Sequence, residues 1–200
     1  MTDDTYDRNG YFAAIERGDM ASVRSYLERG IDVNLQNAAK ETGICKAADR
    51  NDIDMVKLLL DLGADANMAS DQIDKTPIMI ASVQGNADMV RLLIERADPD
   101  MTIVNGYGGT ALIPACERGH VEVVRLLLER TDVQVDHVNK LGWTALLEAV
   151  ILSDGGVRQQ EIIKLLLAHG ANRQIADRDR ITPIEHAARR GFTEIVALLS

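Results

Sequence analysis

Thr110 to Arg130 reads TALIPACERGHVEVVRLLLER. The stretch holds two amphipathic segments, a short one that opens at Thr110 with small residues such as Ala115, and a longer one on which Glu122, Arg125 and Glu129 leave a single polar stripe. Every other side of the longer segment is apolar. A helix wetted along one narrow stripe needs cover from its partner and from neighbours on both sides, which an isolated helix pair cannot give. The stretch therefore predicts further copies of itself.

Those copies are present. Thr42, Thr76, Thr110 and Thr144 are 34 residues apart each time, and Thr182 follows after 38. Val56, Val90 and Val124 head VKLLL, VRLLI and VRLLL, Ile163 heads IKLLL, and Val196 heads the shorter VALLS. Ala14, Ala47, Ala81, Ala115, Ala149 and Ala187 keep the same register. The spacing gives a tail at 1–8, a first copy at 9–39, internal copies at 40–73, 74–107, 108–141 and 142–179, and a shortened copy at 180–200, read as one domain. Threonine is suited to cap each first helix, and in Thr76-Pro77 and Thr182-Pro183 the proline falls where its missing N–H is harmless. Gly30, Gly63 and Gly170 stand where a left-handed residue closes a helix. Asn105 to Gly108 and Asn139 to Gly142 carry turn chemistry between copies. The expected fold is an all-α repeat of about six helix-turn-helix units joined by β-hairpin-like turns.

The period, the T-[PA]-[LI]-x-x-A opening, the V-[KR]-L-L-L second helix and the N-x-x-G-x-T turn together resemble ankyrin repeats over nearly all of the chain after Arg8. The phrases GWTALLEA at Gly142 to Ala149, Pro114 to Glu117 and Gly119-His120 resemble the short stand-alone bacterial ankyrin proteins of the YahD type. The resemblance implies an ankyrin-repeat solenoid, a bacterial interaction protein and no catalytic residue. One departure accompanies it: the family's histidine three residues after the threonine is replaced by Cys45, Met79, Ile113, Leu147 and Glu185. His186 lies one place later.

Composition narrows the function classes. With 31 acidic against 22 basic residues the formal charge is -9, which repels phosphate backbones, and no basic face offsets it, so direct nucleic-acid binding is not expected. No apolar run is long enough to span a bilayer, and Met1 to Arg8 is acidic and polar, so a soluble, cytoplasmic protein is expected. Cys45 and Cys116 fall in copies separated by another one, about 20 Å apart at ordinary helix spacing, beyond disulfide reach. His120, His137 and His169 are scattered over separate copies, and no metal or cofactor motif occurs.

The surface residues divide into scaffold and exceptions. Arg24/Glu28, Lys57/Asp61, Arg91/Glu95 and Arg125/Glu129, at four-residue spacing, read as a solvated charged face. Ile73, Tyr107 and Leu141 occupy one place in three successive turns, with Trp143 two residues beyond Leu141, and predict an apolar strip that anchors a partner. Glu117 and Glu148, with Arg118 nearby, belong to first helices and are read as polar partner contacts; a repeat surface is not expected to supply the dry pocket that shifts a carboxyl pKa. The distance from Ala149 to Ile163 exceeds that from Ala115 to Val124 by five residues, placed as Asp154, Gly155, Gly156, Val157 and Arg158. These are read as a longer helix connection capped by Asp154, with an anion or small-molecule site as the alternative. The expected activity is non-enzymatic binding of a protein or peptide with a basic and apolar contact surface, through turn tips and concave first helices. Ser200 falls within the last second helix, which leaves an apolar end and a choice between monomer and weak homodimer.

Overall fold

A computed structural model describes residues 4–69 and 75–200. Ile73 lies outside them. The described residues form twelve α-helices and no strand, and Gln36 and Thr42 make an isolated antiparallel bridge. The chain makes two compact units, Met1–Ala81 with Asp88–Asp100, and Ser82–Ala87 with Met101–Ser200.

The first unit contains α1 (Asp4–Glu16), α2 (Met20–Glu28), α3 (Gly43–Asp49) and α4 (Ile53–Asp61), together with most of α6 (Ala87–Ala97) and the start of α5 (Pro77–Gln84). Its core is closed by Tyr11, Ile15, Ile44, Met55 and Leu59. Gly43 stands where Thr76 and Thr182 are followed by proline and Thr110 and Thr144 by alanine, and the reason is space: a Cβ there would lie 2.7 Å from both Tyr11 Oη and Ile15 Cδ1. Cys45 is buried and free, its Sγ 3.4 Å from the Lys75 carbonyl, and burial pushes the thiol up to about 11.

The second unit contains α7 (Leu112–Glu117), α8 (Val121–Arg130), α9 (Ala145–Ile151), α10 (Val157–Ala168), α11 (Pro183–Arg189) and α12 (Thr193–Leu199). Here α7 packs on α9 and α9 on α11, while α8 packs on α10 and α10 on α12, so first and second helices form separate layers. Leu112, Leu127, Leu146, Ile163 and Leu166 fill the space between them.

The register read from sequence has a direct physical counterpart. All six alanines, from Ala14 to Ala187, are 0% exposed, since close helix approach leaves no room for a larger side chain. Gly30, Gly63 and Gly170 adopt φ of 97°, 88° and 86°, as the helix exits require. Thr42, Thr76 and Thr144 accept hydrogen bonds from the N–H groups of Cys45, Met79 and Leu147, and Thr182 forms a reciprocal capping box with Glu185.

Thr110 does not cap. Its hydroxyl is buried without a partner, and the Ile113 N–H goes to the Thr110 carbonyl at 3.2 Å instead. Pro114 explains the exception, because it lacks the N–H that this carbonyl would otherwise accept. The charged face also differs in detail: Lys57 pairs with Asp54 at 3.2 Å, while Asp61 pairs with Arg96 at 2.5 Å in the next copy. Arg125 reaches Glu122, Glu129 and, across to α10, Glu161. These exposed pairs are each worth under about 1 kcal/mol.

Candidate functional site at the turn tips

The site is built on two turns of the second unit. Asn105 and Asn139 nucleate them: Asn105 Oδ1 accepts the N–H groups of Tyr107 and Gly109 at 2.9 and 3.0 Å, and Asn139 Oδ1 those of Leu141 and Trp143 at 2.9 and 3.0 Å. An asparagine side chain that folds over its own backbone fixes the tip without help from a strand. The two tips are joined directly, since Lys140 donates its N–H to the Tyr107 carbonyl at 2.9 Å and its Nζ to the Gly106 carbonyl at 3.0 Å. Gly108, at φ 75°, stays free of a side chain that would strike Lys140 Cγ at 2.9 Å. Arg178 in turn donates to the Lys140 carbonyl.

Tyr107 is 69% exposed and Leu141 47%. With Glu117, Arg118, Glu148 and Leu152 they line a cavity of about 320 Å³. Four of the residues expected to meet a partner are thus brought together here. Trp143 is half-buried and is not part of this lining.

Glu148 departs from the expectation for a repeat surface. It sits in the first turn of α9, only 4% exposed, and its Oε1 accepts from Asn139 Nδ2 at 2.8 Å. Burial, reinforced by the nearby Glu117 carboxylate and opposed by the Asn139 hydrogen bond, pushes its pKa up to about 7. Among the described residues neither Glu117 nor Glu148 forms an ion pair with Lys, Arg or His. Packing of the first helices α7 and α9 against the turn supplies a dry environment that a repeat surface was not expected to have. The N-x-x-G-x-T pattern places Asn105 and Asn139 at the turns, five residues before the repeat threonine; the bond from the Asn139 side chain to Glu148 has no sequence signal of that kind.

The inserted residues do not simply lengthen a turn. Three residues, Arg118 to His120, connect α7 to α8, and five, Leu152 to Gly156, connect α9 to α10; the rest of the insertion extends α10 at its start. Asp154 is not the helix cap. Gly156 holds that position, and Asp154 Oδ1 accepts the Gly156 N–H at 2.8 Å in a local turn. Gly155 adopts φ 74° against the ring of Phe192, where a Cβ would fall 2.6 Å from Cδ1. Arg190 donates to the carbonyls of Ile151 and Ser153, so the loop is held by the last copy. A cavity of about 380 Å³ lies here, lined by Arg118, Ser153, Asp154, Arg158 and Gln159 among others.

Among the described residues no group of three or more His, Cys, Asp or Glu side chains is placed to hold a metal, and no helix is long and apolar enough to cross a membrane. A family model for ankyrin repeats in three copies matches residues 11–105 and 97–177. The chain is 39% identical to the ankyrin repeat protein YahD of Escherichia coli (strain K12) over 189 residues, 94% of this chain and 93% of that one. It is similar to the crystal structure of an ankyrin repeat domain from Acinetobacter baumannii AYE at 41% identity, with a TM-score of 0.89 over 94% of this chain and 95% of that one. The ankyrin repeat domain of Bcl-3, of the IkappaB protein family, matches at 26% identity and a TM-score of 0.83, over 95% of this chain and 84% of that one. With the periodic helix pairs, the buried alanine register and these matches, the chain belongs to the ankyrin-repeat family.

Proposed function

We propose that this chain is a non-catalytic recognition module that binds a protein partner on the face formed by Tyr107, Leu141, Glu117 and Glu148. Ankyrin repeats bind other proteins, and the observation that carries the assignment of this face is the pair of exposed apolar tips fastened to each other through Lys140. Contacts already fixed before association lose little ordering entropy on binding. Trp143 extends the proposed surface along the turn it shares with Leu141. With a formal charge of -9, the complementary surface is basic with apolar anchors. The module is proposed to work in the cytoplasm.

Affinity capture from the native host with wild-type and Tyr107→Ala/Leu141→Ala baits tests this. Partners should be retained by the wild type and depleted at least about tenfold by the double variant, with both baits showing the same thermal unfolding. Equal recovery on both baits refutes the assignment.

The cavity beside the inserted residues favours a second reading as an anion sensor, because Arg118 and Arg158 flank the start of α10, whose cap Gly156 offers no side chain. A rise in melting temperature with inorganic phosphate, lost in Arg158→Ala, would support it. No rise at millimolar phosphate would remove it.

A further inference from the structure

Glu148 is the anomaly of the second unit. A carboxylate this deeply buried ordinarily has a cation or several donors to offset its desolvation. Asp177, in the corresponding turn of the next copy, has several partners: it accepts two backbone N–H groups and faces His186 Nε2 at 2.7 Å. Glu148 has one amide donor, an acidic neighbour in Glu117 and an open cavity. Among the described residues no Lys, Arg or His side chain supplies the counter-charge that its ionised form would need.

We infer that this cavity receives one arginine side chain of the protein partner, with its guanidinium between Glu117 and Glu148 and its stem against Tyr107 and Leu141. The inference rests on the docking face proposed above and names what enters it. Asn139 occupies one lone pair of Glu148 Oε1, which leaves Oε2 open to an incoming cation. A guanidinium has diverging N–H groups that reach two separate carboxylates, and its flat face stacks on an aromatic ring such as the exposed Tyr107. An ammonium offers neither the planar fork nor the stacking face. Arg118 lines the same cavity without pairing to Glu117 or Glu148, and it competes with the visitor. The elevated Glu148 pKa agrees with a site whose ionised form is completed only on binding.

The full chain, labelled with ¹⁵N, is titrated with N-acetyl-arginine amide, with the lysine analogue and with the neutral citrulline analogue. Shifts centred on Asn139, Leu141 and the turn from Asn105 to Gly109 are expected with arginine, about tenfold weaker binding with lysine, and none with citrulline. Glu148→Gln, which keeps an acceptor for Asn139 and the native volume, should weaken arginine binding at least about tenfold, and Arg118→Ala should strengthen it. Lysine binding as tight as arginine, citrulline binding at all, or a titration unchanged in Glu148→Gln each overturns the inference. Partner capture that needs Tyr107 and Leu141 but ignores Glu148→Gln overturns it alone. Capture indifferent to Tyr107→Ala/Leu141→Ala overturns the docking face instead.

Discussion

Asn139 with Glu148 and Asp177 with His186 occupy the same place in successive copies, nine residues apart in each pair, yet they end in opposite electrostatic states. In the later copy a carboxylate nucleates the turn and an imidazole from the first helix closes on it. In the earlier copy the amide nucleates the turn and the first helix supplies the acid. Swapping which member carries the carboxyl group changes what surrounds it. Asp177 collects two backbone N–H groups and a ring nitrogen, whereas Glu148 collects one amide and the field of Glu117. One arrangement is self-sufficient and acts as scaffold. The other leaves an acid waiting beside a cavity.

The most severe way to break this comparison is Asn139→Ala. It removes both hydrogen bonds that fold the tip and the one donor to Glu148 among the described residues, so the loss of stability should be about 3 kcal/mol, read from urea unfolding. A loss below about 1 kcal/mol would show that the tip is held from elsewhere.

Next in size is the pH response of Glu148. Its folded-state pKa, about 7, lies above the usual 4.5, so between these values the folded protein binds more protons than the unfolded chain. Stability from this group is complete below about pH 4.5 and is lost as pH rises through about 7. Glu148→Gln should abolish that slope and be more stable than wild type at pH 8, by on the order of 2 kcal/mol. Equal stability at pH 8 would mean that the acid is solvated and not strained.

The smallest effect belongs to the self-sufficient copy. His186→Gln leaves Asp177 its two backbone donors and can itself donate, so thermal or urea unfolding should show a change under about 1 kcal/mol. A larger cost would move the imidazole from accessory to keystone and weaken the contrast with Glu148.

Much of the molecule was legible beforehand. Thr42, Thr76 and Thr144 cap as a periodic threonine should, and the alanines are buried in register because neighbouring copies impose the same spacing on each of them. Tyr107 and Leu141 stood out as apolar residues in a place that favours polar ones, and they line one cavity with Glu117 and Glu148. Other features were not legible. Thr110 fails as a cap because a proline four residues later redirects a carbonyl, a conflict that the repeating pattern hides. The insertion divides between loop and helix because Arg190 and Phe192 of the last copy hold Leu152 to Gly156 from outside.

The sequence by itself determined the period, the helix pairs, the small-residue register and the turns at Asn105 and Asn139, since all of these follow from local spacing repeated at a fixed interval. Only the tertiary structure decided which acid finds several hydrogen-bond partners and which finds one. That outcome depends on side chains from separate helices and turns arriving at one point, where exclusion of water raises the energy of every unpaired charge.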